Sequence, residues 1–265
     1  MLKRSFFISA ALIATSLSAC TGPAGSDPTK VESTTEVPMV KPFANFYFRP
    51  GNMGISKTGK IILSIQPLVN PDVKPVHLME DGSVKPYPNE AYAKGPNSIL
   101  KALIGVKIDD GGTAWVLDIG TNTLHAINTI TDDVIETIQI PAKYTKQTSF
   151  LRDFALDQKR NRVVIADMTQ GDLKSAPVPA FIVIDLETKS MRRVAESHPT
   201  VMPEMEGGFA LNPITIDSNY DYIYYGALHG RTIYRVPAAS FDGDSSAVAS
   251  TIEEFGPKNI ATDFR

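Results

Sequence analysis

A chain of 265 residues in which 26 lysines and arginines stand against 29 aspartates and glutamates has a formal charge of −3, and no basic cluster supplies the positive face that nucleic acid demands. Its single cysteine, Cys20, excludes a disulfide within the chain. With 18 glycines, 19 prolines and weak helical periodicity, the composition points to a loop-rich, all-β protein.

At the N-terminus Lys3 and Arg4 precede an apolar run from Phe6 to Leu17, too short to span a bilayer, and small residues follow it. This describes a secretory signal over residues 1–19. Without Lys3 and Arg4 the formal charge of −3 becomes −5. Leu17-Ser18-Ala19-Cys20 resembles the lipobox of bacterial lipoproteins. The resemblance implies that Cys20 is lipidated and that the protein is held at a membrane of the cell envelope. Thr21 rather than aspartate after the cysteine then implies the outer membrane. Residues 20–42 are rich in Thr, Ser, Pro, Gly and Glu, too polar to offset their ordering entropy by burial, and read as a flexible tether. The folded region is expected over 43–265, beginning at the aromatic group Phe43, Phe46, Tyr47 and Phe48.

Within that region one grammar recurs: a turn, an apolar strand, then further strands. Ser56, Thr58 and Gly59 lead into Ile61–Ile65, and Asp109–Gly112 lead into Ala114–Leu117, which ends at Asp118. Leu124–Asn128, a turn at Thr131 and a strand over Val134–Ile140 complete that copy. The next has its turn at Asp157–Asn161, its apolar run at Val163–Ala166 ending at Asp167, then Phe181–Asp185, Thr188 and Met191–Val194. Asp217, Asn219 and Asp221 introduce Tyr222–Tyr225, and Thr232–Val236 supplies the following strand. Short runs rich in Val, Ile and aromatics between Asp, Gly and Asn turns are strands. A period of roughly fifty residues is that of one four-stranded propeller blade, whereas a sandwich does not usually repeat such a grammar. About four blades and the start of a fifth are expected before Arg265.

Four phrases resemble the yellow and major royal jelly protein family, in its bacterial branch. They are Gly105–Asp109, Thr113–Asp118, Ser149–Asp157, and Tyr222–Tyr225 followed by Ile233–Pro237. The resemblance implies a six-bladed β-propeller, secretion, and binding of a small ligand or partner without established catalysis. Against six blades, the four visible here imply an incomplete ring in a C-terminally shortened relative. A more distant similarity to the gluconolactonase and senescence-marker propellers implies the alternative, a metal-dependent lactone hydrolase, inactive if shortened.

No Gly-x-Ser-x-Gly elbow, His-Glu-x-x-His motif, phosphate loop or dinucleotide fingerprint is present. His77, His125, His198 and His229 show no ligand spacing. In the lactonase-like propellers, carboxylates and amides at the starts of the innermost strands hold calcium or another divalent cation, which polarises a lactone carbonyl beside a carboxylate base. By that resemblance Asn52, Asp153 and Asn212 are the candidate ligands, preceding Ile55, Leu156 and Ile216. Arg152 stands where the lactonase pattern has a metal-binding asparagine, and a guanidinium there repels a cation. Asp118 and Asp167 each end an apolar strand and read as caps within their blades rather than as a catalytic pair. Trp115 reads as core, and the alternating Tyr222, Tyr224 and Tyr225 as packing between blades.

Overall fold

The computed structural model describes residues 42–256. The expected leader, Cys20 and all but the last residue of the tether lie outside the described residues. Four antiparallel sheets of four strands each follow one another, every sheet a meander with its strands in chain order. Blade 1 holds β1 (Pro50–Ile55), β2 (Ile61–Ile65), β3 (Pro75–Leu78) and β4 (Val84–Pro86). Blade 2 holds β5 (Leu103–Ile108), β6 (Thr113–Asp118), β7 (Thr123–Asn128) and β8 (Val134–Gln139). Blade 3 holds β9 (Leu151–Asp157), β10 (Arg162–Asp167), β11 (Ala180–Asp185) and β12 (Met191–Val194). Blade 4 holds β13 (Leu211–Ile216), β14 (Tyr222–Ala227), β15 (Tyr234–Pro237) and β16 (Glu253–Glu254).

The repeated turns have a local cause. Each places a short polar side chain where it accepts backbone N–H groups that the ladder leaves free. Ser56 Oγ accepts from Lys60 N at 3.0 Å, Asp109 Oδ1 from Thr113 N at 2.7 Å, and Asp217 Oδ2 from Tyr222 N at 2.9 Å. In blade 3 the same duty falls to Asp157, which accepts from Arg160 N at 3.3 Å and also pairs with the buried Arg162 Nε at 3.0 Å. The Thr131 and Thr188 turns match as well. Thr131 N donates to Asn128 Oδ1 and Thr188 N to Asp185 Oδ1.

Period-two alternation then sorts the apolar runs into inter-blade cores. Val163 and Ile165 of β10 pack with Leu117, Leu124 and Phe154 on the blade 2 side, while Val164 and Ala166 pack with Phe181, Ile214 and Tyr225 on the blade 4 side. Both faces of β10 are covered, so all six of its residues are buried and its sequence reads as continuously apolar between its charged ends. Ile62, Val106, Val116 and Ile127 fill the gap between blades 1 and 2. Each fully buried side chain of this kind contributes about 1.5–3 kcal/mol.

Innermost strand packs on innermost strand: β1 on β5, β5 on β9, β9 on β13. No contact of that extent joins β13 back to β1 among the described residues, so the four blades form an open arc, as the incomplete-ring expectation requires. The outer face of blade 1, Leu63, Ile65, Val76 and Leu78, is covered by the chain's own Ala44, Phe46 and Phe48. β15 starts two residues later than the expected Thr232, because Arg231 N and Thr232 N donate to the Glu204 carboxylate instead of to a strand. No helix of the described residues is long and apolar enough to cross a membrane.

Candidate ligand site at the channel

Every innermost strand carries one irregularity close to its start. The register shifts between Pro50 and Met53, Leu103 and Val106, Leu151 and Asp153, and Leu211 and Ile214. Bulges of this kind re-aim side chains, and their repetition at one end of the channel brings residues of different blades to a common level. The register makes Gly51, Ile104, Arg152 and Asn212 equivalent, and the next position is held by Asn52, Gly105, Asp153 and Pro213.

Two residues expected at the site therefore meet. Asn52 Nδ2 donates to Asp153 Oδ2 at 3.1 Å, joining blade 1 to blade 3 past the intervening blade 2. Gly105 makes this approach possible, since a Cβ there would lie 2.9 Å from the Phe154 ring and 3.1 Å from Asp153 Oδ1. Asn52 is fixed in turn: its backbone N–H donates to Ser64 Oγ at 2.8 Å, and that hydroxyl donates to the Ile104 carbonyl at 2.7 Å. Asn212 does not join the pair. It sits one register position earlier, level with Arg152, and Pro213 occupies the place equivalent to Asp153.

Lys107, from β5, is the residue that the strand-start reasoning missed. Its ammonium lies 3.2 Å from Asp153 Oδ2. The signal was present, since Lys107 is the one charge in the otherwise apolar strand Leu103–Ile108. Burial raises the Asp153 carboxyl above the ordinary carboxylate range, and Lys107, the Phe154 N–H and Asn52 pull the other way. Burial likewise lowers the affinity of Arg152 for its proton, opposed by Asp153.

The donor set does not suit a divalent cation. Asp153 already receives Phe154 N, Asn52 Nδ2 and Lys107 Nζ, and the Asn52 carbonyl oxygen accepts the Met53 N–H at 2.8 Å. A hard cation needs several free oxygens and would face an ammonium instead. Among the described residues no group of three His, Cys, Asp or Glu side chains is placed to hold a metal. The histidines stay apart: His125 lies buried between Thr123 and Thr137, and His229 stacks on Phe209.

Asp118 and Asp167 are scaffold. Asp118 accepts the N–H groups of Lys101, Ala102 and Gly120, and Asp167 those of Phe150 and Thr169 together with the Arg193 guanidinium at 2.6 Å. The tyrosines divide: Tyr225 is buried against Phe181 of blade 3 at 4.9 Å, whereas Tyr222 and Tyr224 lie on the other face with Arg235 and Phe255. Packing between blades therefore describes Tyr225 and not its neighbours.

Four buried side-chain atoms among the described residues lack a partner, Tyr87 Oη, Arg152 Nε, Arg192 Nε and Asn212 Nδ2, and two of the four share one register position in adjacent blades. Leaving a buried donor unpaired costs about 1–3 kcal/mol. Beyond this level the innermost strands of all four blades line an open cavity of about 340 Å³. Its walls are apolar at Met53, Ile55, Ile108, Phe154 and Ile216, with Lys107 toward the strand starts and Gln158, Asp217, Ser218 and Tyr220 toward the strand ends. A separate cavity of about 570 Å³ lies on the outer face of blade 1 and draws on no other blade's strands.

The family profile described as Major royal jelly protein matches residues 102–257. No curated protein matches the chain in sequence. Among solved structures, a streptogramin B lyase aligns at a TM-score of 0.52 and 13% identity, covering 80% of this chain and 56% of the lyase. A catalytically inactive virginiamycin B lyase from Staphylococcus aureus, solved with quinupristin, aligns at 0.51 and 16% identity, covering 79% and 56%. The chain thus spans a little over half the length of these structures, and at such identities the likeness is one of fold.

Proposed function

This chain belongs to the major royal jelly protein family, and from that premise we propose that it is a small-ligand-binding propeller of the cell envelope. The observation that carries the reading is the open cavity of about 340 Å³ lined by the innermost strands of four blades, where Met53, Ile55, Ile108, Phe154 and Ile216 stand beside the polar Lys107, Gln158, Asp217 and Tyr220. Such a combination of apolar lining and a few placed polar groups is what small-molecule sites share. Metal-dependent lactone hydrolysis is not favoured, because the one carboxylate at the strand starts is engaged by Lys107 and Asn52.

Lipidation at Cys20 places this module at a membrane surface, most simply the outer membrane, with residues 20–42 as the tether. A lipid chain anchors because each buried methylene contributes about 0.8 kcal/mol. Export in a bacterial host with labelled palmitate tests this part: label should enter the chain and disappear in Cys20→Ser.

Binding is tested by thermal melts of the chain after Cys20 with aromatic acids, alcohols and amines as probes. A probe at a hundred times its dissociation constant adds about 2.7 kcal/mol and moves the midpoint by several degrees. At least one class should do so for the natural chain and none for Ile55→Trp, which fills the cavity from a side chain that is 56% exposed. No response from any class contradicts the binding reading.

A further inference from the structure

We propose that Arg152 and Asn212 form an anion-recognition pair at the strand-start end of the channel, and that the ligand taken there carries a carboxylate. This rests on the binding reading above and narrows it to a charge.

The two residues stand at the same bulged position of β9 and β13, strands that pack directly on one another. Each presents a buried donor with no partner, Arg152 Nε and Asn212 Nδ2. Buried polar groups are paired in nearly all folded proteins, so two orphans at one level point to a partner that arrives from outside. Both are donors, and the partner must therefore accept.

Its charge follows from the neighbours. Arg152 has Asp153 beside it in sequence, yet that carboxylate is taken by Lys107 Nζ at 3.2 Å, Asn52 Nδ2 at 3.1 Å and Phe154 N at 2.8 Å. The equivalent position of blade 4 is Pro213, which brings neither a carboxylate nor an N–H, so the Asn212 amide is the donor that blade contributes there. The Arg152 guanidinium carbon lies 4.9 Å from the Phe150 ring centroid, within cation–π range. The planar guanidinium fork matches the two oxygens of a carboxylate better than a spherical anion. Neither Arg152 nor Asn212 lines the cavity itself, which begins two residues further along β9 at Phe154; there Met53, Ile108 and Phe154 offer apolar surface to the body of a carboxylate-bearing ligand.

The test uses the full-length chain, labelled with ¹⁵N, and reads the Arg152 Nε–H resonance while benzoate, benzyl alcohol or benzylamine is added at neutral pH. Benzoate should shift it saturably, and the neutral and cationic probes should not. By equilibrium dialysis, Arg152→Gln and Asn212→Asp should each weaken benzoate binding about tenfold or more, the loss expected when a bond to a charged group is removed. Asn212→Asp preserves the side-chain shape, so the test stands even if Arg152→Gln fails to fold. Benzyl alcohol binding as tightly as benzoate, no shift with benzoate, or benzoate binding indifferent to Asn212→Asp would each overturn the pair. If other probes move the melt while benzoate does not, this inference alone falls; if none does, the binding reading falls with it.

Discussion

Blades 3 and 4 are built to one plan and covered differently. β10 is buried along its whole length, because blade 2 lies on one face and blade 4 on the other. In β14 the same position of the plan alternates: Ile223 and Tyr225 are buried toward blade 3, while Tyr222 and Tyr224 are half-exposed beside Arg235 and Phe255. The register-equivalent sequences say the same thing, Val163-Val164-Ile165-Ala166 against Ile223-Tyr224-Tyr225-Gly226. A blade's middle strand is continuous in apolar residues where two neighbours cover it and alternates where one does. Blade 1 reaches cover by another route, using its own Phe46 and Phe48.

Substitutions can break that contrast. Ile165→Ala, in the doubly covered strand, should destabilise by about 2–5 kcal/mol in denaturant unfolding, since the site cannot collapse onto either neighbour. Gly105→Ala comes next, at about 1–3 kcal/mol, because the added methyl must displace the Phe154 ring. It should also part Asn52 from Asp153, which the Asn52 side-chain amide resonances would report. Tyr224→Ala, on the singly covered face, should cost no more than about 1 kcal/mol. Equal losses at Ile165 and Tyr224 would refute the idea that cover differs between the blades.

The smallest expected effect is electrostatic. Burial raises the Asp153 carboxyl, so the native state holds that proton more tightly than the unfolded chain does. Stability at this site is therefore lost as pH rises through and just above the ordinary carboxylate range. Asp172 has the opposite sign: hydrogen bonds from Ser175 lower it to about 2, and its contribution is present above its unfolded value and fades on acidification. Carboxyl-carbon NMR titrations should give Asp153 the higher midpoint of the two. Lys107→Met should raise the Asp153 midpoint further, since Lys107 is what holds it down.

The strands were legible in the sequence where their causes are local. An aspartate or serine that accepts N–H groups a few residues ahead, followed by an apolar run, writes each turn and middle strand within about ten residues. What depends on distant residues was not legible. Glu204 delays β15 from 27 residues away, and β16 exists only as a two-residue partner of β15. At the site, Asn52 and Asp153 each stand three residues before Ile55 and Leu156, whereas Asn212 stands four before Ile216, so treating all three as comparable strand starts misplaced Asn212 by one position. Lys107 was visible only as an odd charge in an apolar strand, and its partner Asp153 comes from the next blade.

The central claim is that the strand-start end of the channel is closed to cations because its carboxylate is already bound. A thermal melt of the chain after Cys20, first in chelator and then in millimolar calcium, tests it most directly. The account predicts one cooperative transition whose midpoint calcium leaves unchanged. A rise of several degrees, abolished in Asp153→Asn, would contradict it and restore the metal-dependent reading.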